Sequence, residues 1–336
     1  MAKIRRWLGY LAGGSLALIL LLACVGFVYE QIAEYRDRRL NHPPGQLVDV
    51  GGYRMHLYCT GQGSPTVILD SGLGDYWLSW HNVQPQISQF TRVCSYDRAG
   101  LGWSDPSPLS RTSKTFAQEL HTLLQRASVP APYVLVGHSL GGMNVRMYAG
   151  LYPAEVAGMI LVDSGFPHQE QRLPPWVNEL MASYYRKIDM QGLTMPLGIP
   201  RLMDWCGTDP PEFRSMVRAI ECRRQFFREG HEEWAKINED VDQVQAVVSL
   251  GNMPLVVLSR DPDKFVPGIP PDLAMDGEKA WEAMQQELTR LSTNSSLIVA
   301  KGSGHYIPIE RPDVVIEAVQ NVVGRCRAAQ QPAPQS

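Results

Sequence analysis

The chain has 336 residues, 44% of them hydrophobic and 19% charged, with 31 basic against 34 acidic side chains and a formal net charge of -3. Neither sign dominates, which excludes a nucleic-acid binder working through a basic surface, and the hydrophobic content excludes a mostly disordered chain. The 29 glycines and 25 prolines follow no short repeat, so coiled-coil and collagen-like rods are excluded too, and one large globular unit fits best.

In chain order, the first element is an apolar run. Trp7 to Tyr29 contains no charged residue and follows Lys3, Arg5 and Arg6, which matches the roughly 20 residues a helix needs to cross a bilayer. The reading is a single-pass membrane anchor. A cleaved signal peptide is the main alternative, although its apolar region is usually about 7 to 15 residues long. Lipidation at Cys24, within Leu21-Leu22-Ala23-Cys24, is a third, opposed by the continuing apolar run from Val25 to Val28. Arg36, Arg38 and Arg39 beyond the run balance the three basic residues before it, so basic residues do not set the orientation. The cysteines bear on it instead. Cys59 with Cys94, and Cys206 with Cys222, have spacings suited to disulfides, with Cys326 left over. Bonded pairs imply a domain on an oxidising side of the membrane, and buried free thiols are the alternative.

Asn41-His42-Pro43-Pro44-Gly45 reads as a linker. Strands are predicted over 47–50, 53–59, 66–71 and 91–97, then a helix over 115–127, a buried strand over 133–137, a helix over 143–152 and a strand over 159–164. This alternation builds a parallel sheet with helices on both faces. From Gly165 to Asn252 the pattern is helical with Pro and Gly breaks, which predicts an inserted helical cap. Its aromatic and Met residues, among them Trp176, Tyr184, Met203, Trp205 and Phe226, pack the cap onto the main domain or line an apolar pocket. Strands over 254–259 and 296–301, a helix over 312–326 and a disordered tail over 327–336 complete the prediction.

The densest chemical signal is Gly137-His138-Ser139-Leu140-Gly141, set directly between a buried strand and a helix. A sharp strand-to-helix turn strains the backbone of the serine, and small residues two before and two after relieve the crowding. Ser139 Oγ then stands at the carboxyl edge of the sheet, where the helix N-terminus favours developing negative charge. This G-x-S-x-G resembles the nucleophile elbow of the α/β-hydrolase superfamily. The resemblance spans about residues 46 to 326 and implies a mostly parallel eight-stranded sheet flanked by helices, with a triad in the chain order Ser, acid, His.

A serine hydroxyl needs a general base, and that base needs an acid to orient it. His305, in Gly302-Ser303-Gly304-His305 after the last strand, is the implied base. For the acid, the family often places a D-x-x-x-P pattern after the penultimate strand, and Asp263 to Pro267 matches it. Asp263 is therefore the first choice, with Asp261 as alternative and Asp163, at the end of the preceding strand, third. The resemblance implies oxyanion donors at the N-H of Leu140 and of Leu73, the latter in Ser71-Gly72-Leu73-Gly74, which looks like the family's H-G-x-G with serine for histidine. Asp97 to Ser104 resembles the D-x-R-G-x-G-x-S loop, with Arg98 supporting the site floor or binding a substrate carboxylate. His138 is assigned packing or substrate contact.

Serine at the elbow argues against haloalkane dehalogenases and epoxide hydrolases, which the family builds on an elbow aspartate. His231-Glu232-Glu233-Trp234-Ala235 lacks the second histidine of H-E-x-x-H and reads as a surface helix. The glycine pairs 72/74 and 100/102 lack the third glycine of a dinucleotide site. No metal or nucleotide cofactor is expected. Asn294-Ser295-Ser296 is a glycosylation sequon, relevant only in a eukaryotic secretory pathway. The expected activity is a membrane-anchored serine hydrolase acting on a small-molecule ester with a medium-sized apolar acyl group. A proline-iminopeptidase-like aminopeptidase, a carbon-carbon bond hydrolase and a noncatalytic hydrolase-fold binding protein are the alternatives.

Overall fold

The computed structural model describes residues 2–207, 210–264 and 270–330. Eight strands form one sheet: β1 (Gln46–Asp49), β2 (Arg54–Thr60), β3 (Thr66–Asp70), β4 (Val93–Tyr96), β5 (Tyr133–His138), β6 (Val156–Val162), β7 (Leu255–Arg260) and β8 (Ser295–Ala300). Their spatial order is β1-β2-β4-β3-β5-β6-β7-β8. β2 pairs antiparallel with both β1 and β4, and every other neighbour is parallel. This is the predicted α/β-hydrolase sheet.

The central strands are buried along their whole length, as strands covered on both faces must be. Alternate residues serve opposite faces. Ile68, Leu135, Met159, Leu161 and Val257 join Phe116, Leu120 and Leu123 of helix Ser113–Arg126 and Val145 and Tyr148 of helix Leu140–Leu151. Val67, Leu69, Val134, Val136, Ile160, Val256 and Leu258 join Val315, Val319 and Val322 of helix Pro312–Gln330. Because the sheet is clamped between these layers, the loops at the carboxyl ends of β3, β5, β6, β7 and β8 have fixed origins for a site.

Contacts divide the chain into two compact units, Met1–His42 with Tyr184–Arg228, and Pro43–Ser183 with Glu229–Ser336. The stretch predicted as one cap over 165–252 is therefore shared. Its centre groups with the N-terminal helix Ala2–Leu40, while its two flanks group with the sheet. Both cysteine pairs are bonded, Cys59–Cys94 across paired positions of β2 and β4, and Cys206–Cys222 in the first unit. Cys24 and Cys326 are free.

Two elements differ from the prediction. Residues 327–330 extend the last helix instead of opening a disordered tail, because the Arg327 guanidinium donates to the carbonyls of Ser64 and Phe90. Residues 331–336 lie outside the described residues. A helix, Pro271–Leu288, fills the interval between β7 and β8 for which no element was predicted.

Candidate active site

Ser139 sits between β5 and the following helix with φ 54° and ψ -119°, a conformation that costs a non-glycine residue about 1–3 kcal/mol. Neighbouring hydrogen bonds fix it there. Ser139 N-H donates to Val162 O at 3.1 Å, and its carbonyl accepts from Gly142 N at 3.0 Å and Gly165 N at 2.9 Å. The flanking glycines are sterically required: a Cβ on Gly137 would strike the backbone of Gly141, and one on Gly141 would strike the carbonyls of Asp70 and Ser71.

The loop after β3 closes onto this elbow. A Cβ built on Gly72 would lie 3.4 Å from Ser139 Cβ and 3.2 Å from His138 Nδ1. Leu73 and Leu140 present backbone N-H groups that have no hydrogen-bond partner among the described residues, and Leu140 is the first residue of its helix, where such orphan donors are expected. Ser71, which stands where the family often has histidine, is buried and turned into its own loop. Its hydroxyl donates to Tyr76 O and accepts from Trp80 Nε1 at 2.9 Å.

Arg98 holds this loop from behind. Its Nε and Nη2 bind the two oxygens of Glu233 at 2.6 and 2.9 Å, Nη1 binds Asp70 Oδ1 and Ser71 O, and Nη2 also binds Gly72 O at 2.6 Å. All five guanidinium donors are thereby engaged, which assigns Arg98 to support and leaves it nothing to offer a substrate carboxylate. Glu233 Oε2 also accepts Gly74 N-H at 2.8 Å. The segment read as a surface helix is thus two-faced: His231 and Glu232 are exposed, while Glu233 is buried at the loop. Asp97 has a similar scaffold role, accepting from Trp77 N and Trp103 N and meeting His56 Nδ1 at 2.8 Å.

The carboxylate that meets His305 is Asp163. His305 Nδ1 lies 2.6 Å from Asp163 Oδ2, while Trp281 Nε1 at 2.7 Å and Arg260 N at 3.0 Å donate to Asp163 Oδ1. Asp163 is fully buried. Burial alone would raise its pKa, but the Arg260 charge and the His305 hydrogen bond outweigh that and hold it down at about 2. Asp263, the first choice from the sequence, is corrected. Its side chain is 83% exposed and, among the described residues, reaches only Lys301, because it lies beyond the strand end, where the loop has turned to solvent. Pro267, the other end of its motif, lies outside the described residues. Asp261, the alternative, also misses His305. It accepts Gly302 N-H at 2.8 Å and its own N-H bonds Ser303 O, so it braces the loop that carries His305.

His138 also acts on that loop. Its Nε2 lies 2.8 Å from the His305 carbonyl, so Nε2 carries the proton. Burial and the neighbouring His305 push its pKa down to about 3, keeping the ring neutral in this donor role rather than in substrate contact. Asp75, two residues beyond Leu73, is half-buried without a hydrogen-bonded partner for its carboxylate among the described residues. Burial raises its pKa to about 6, against the opposing charges of Arg98 and His305. Sequence reasoning missed the support around Asp163. Glu278, Trp281 and Gln285 line one face of helix Pro271–Leu288, where Glu278 pairs with Arg260, Trp281 binds Asp163 and Gln285 donates to Ser164 O. Their i, i+3, i+7 spacing was the available signal. Among the described residues no His, Cys, Asp and Glu cluster could hold a metal ion.

Comparisons with known proteins agree with this architecture. Protein YqjL of Bacillus subtilis (strain 168), an uncharacterized protein, is 28% identical over 276 residues, covering 82% of this chain and 88% of its own. A thermophilic esterase from Thermogutta terrifontis superposes with a TM-score of 0.60 at 22% identity, covering 84% of this chain and 98% of that one. The epoxide hydrolase CorEH gives a TM-score of 0.58 at 20% identity, covering 83% and 98%. At such identities the two structures speak to the fold alone, and their differing names show how little the fold fixes the reaction. The family model described as "Alpha/beta hydrolase family" matches residues 67–318. With that match over most of its length and the sheet and elbow described above, the chain belongs to the alpha/beta hydrolase family.

Proposed function

We propose that the protein is a membrane-anchored serine hydrolase that cleaves carboxylic esters through Ser139, His305 and Asp163. The observation that carries the reading is the 2.6 Å contact between His305 Nδ1 and a buried, ionised Asp163. It fixes the proton on Nδ1 and leaves Nε2 as the basic nitrogen. In the proposed reaction His305 Nε2 takes the Ser139 hydroxyl proton as Oγ adds to the ester carbonyl. The oxyanion accepts from the N-H groups of Leu73 and Leu140. Collapse breaks the bond to the alkoxy oxygen, which leaves as the alcohol with the proton from His305. Water, deprotonated by His305, then releases the acid and regenerates Ser139. Asp163 stabilises the imidazolium in both halves without taking its proton.

The apolar run from Trp7 to Tyr29 lies within a continuous helix that is long and apolar enough to cross a membrane. A single-pass anchor is proposed on that basis, and the two disulfides support placing the catalytic domain on an oxidising side. A small-molecule substrate with a medium-sized apolar acyl group remains part of the proposal.

The test is labelling of the detergent-solubilised full chain by a fluorophosphonate probe, with hydrolysis of p-nitrophenyl esters of graded chain length. Labelling is expected in the wild type and absent in Ser139→Ala. A folded wild type that is never labelled would favour a noncatalytic binding protein. Cleavage of a prolyl amide with every ester inert would replace the esterase reading with the aminopeptidase one.

A further inference from the structure

The first unit shows how the N-terminal helix is held. Its covered residues, Ala23, Gly26, Glu30, Ala33, Glu34 and Asp37, lie on one side at helical spacing and form one stripe. Against that stripe lies the short segment from Met195 to Leu202. A Cβ on Gly26 would strike the carbonyl oxygen of Leu197, and one on Gly198 would lie 2.8 Å from the Tyr29 ring. Next along the helix, Arg201 bonds both oxygens of Glu30, at 3.0 and 3.1 Å, and pairs with Asp37. Arg201 and Glu30 side chains are each only 4% exposed, so separating the segment from the helix would strand buried charges.

This docking begins inside the apolar run. Gly26 and Tyr29 belong to its last turn, so Leu197 and Gly198 stand at the height where the proposed span ends. Around this docked segment lie uncovered apolar residues: Met190 is 61% exposed, Leu193 72%, Leu202 64%, Met203 57% and Trp205 48%, with Asp204 between the last two paired to Arg214 and Arg218. Such a concentration is unusual for a surface facing water. Cations frame it. Arg36, Arg38 and Arg39 follow the run by about two turns, and Arg186 and Lys187 are exposed on the helix that leads to Met190. An apolar ridge with an indole, rimmed by basic side chains and continuous with a spanning helix, has the chemistry of the bilayer interface.

We infer that Met190, Leu193, Leu202, Met203 and Trp205 insert into the interfacial layer of the bilayer that holds Trp7 to Tyr29. The stretch from Met190 to Trp205 is then a membrane-surface element and not a solvent-facing one. The inference rests on the membrane-anchor reading and is tested so that the two fail differently.

The experiment uses the full chain in phosphatidylcholine and phosphatidylglycerol vesicles, with Cys24→Ser removing the exposed native thiol. Single cysteines replace Leu18, Leu193, Leu202 or Val248 and carry an environment-sensitive nitrobenzoxadiazole label. Labels at 193 and 202 should be shielded from iodide and dimmed roughly twofold by shallow doxyl lipids, which report the 5–10 Å depth of interfacial side chains. The label at 18 should respond to deep doxyl lipids, and that at 248, on the sheet-bearing unit, to iodide only. Iodide access at 193 and 202 with lipid burial at 18 overturns the inference and keeps the anchor. Iodide access at 18 as well overturns the anchor and the inference together. Mutual quenching of labels at 193 that disappears when unlabelled protein is mixed in assigns the ridge to a second copy of the chain and also overturns the inference.

Discussion

Asp163 and Asp263 are both plausible partners for a histidine by type, and the surroundings of each decide between them. Asp163 receives three N-H donors besides the Arg260 guanidinium, whereas Asp263 stands in water beside Lys301. Asp163→Asn should therefore lower kcat by about 10³ to 10⁴, the scale seen when a triad histidine loses its orienting carboxylate. Asp263→Asn should change it less than about twofold, as expected of a surface substitution. Equal losses in the two variants, measured on one ester, would remove Asp163 from the proposed triad. Asp75 yields a separate prediction, in stability. Its folded pKa of about 6 lies above the unfolded 3.8. The folded state thus binds its proton more tightly, and the resulting stability is complete below pH 3.8 and lost as pH rises through 6. Discounted for partial exposure, the penalty at pH 8 is about 1–2 kcal/mol. Asp75→Asn should raise the urea midpoint at pH 8 and leave it unchanged near pH 4. A gain of equal size at both pH values would show that charge is not the cause. His138 acts in the opposite sense, because its depressed pKa costs stability as pH falls from 6.5 toward 3.

At the scale of elements, the strands, the elbow and the histidine loop were legible because each has a local signature: buried β-branched runs, glycines two before and two after Ser139, and a glycine loop before His305. The carboxylate that meets His305 was not legible, since the loops after β6 and β7 end side by side at one sheet edge and both carry aspartates. Choosing between them depends on Arg260 and Trp281, and Trp281 is 118 residues distant from Asp163 in sequence. The partner of Arg98 was hidden for a related reason. Glu233 is 135 residues distant in sequence, and nothing local distinguishes it from the exposed Glu232 beside it. That partnership can be measured. Glu233→Ala leaves Arg98 with one carboxylate and frees Gly74 N-H, so it should cost about 3–5 kcal/mol of unfolding free energy. It should also lower kcat, by loosening the loop that carries Leu73. Glu233→Gln, which keeps the shape and part of the hydrogen bonding, should lose less on both measures. A loss below about 1 kcal/mol in the alanine variant would mean that the loop holds its shape without this bridge.

For the whole molecule, one net charge and one hydrophobic percentage conceal two kinds of apolar surface. The sheet-bearing unit buries its apolar residues between helices, while the helix Ala2–Leu40 exposes most of its own. The disulfides bear on the proposed orientation, because reducing compartments do not maintain structural disulfides in most organisms. Four of six cysteines are paired, leaving Cys24 and Cys326. Cells quenched in acid, denatured, and treated with a mass-shifting maleimide should therefore show two modified cysteines, rising to six after reduction. The count also tests the fate of the N-terminus, since cleavage of a signal peptide beyond Cys24 would leave one reactive thiol in a shorter chain, and acylation at Cys24 would leave one in a heavier fragment. Six reactive thiols before reduction would place the domain in a reducing compartment and reverse the proposed orientation. Extraction follows the same physics: apolar residues spanning a bilayer hold a protein against salt and alkali, whereas charge-driven attachment is screened within about 3 Å at 1 M salt. The chain should stay with the membrane pellet through salt and alkaline carbonate and leave it only in detergent. Release by salt alone would identify an electrostatic attachment and remove the spanning helix from the account.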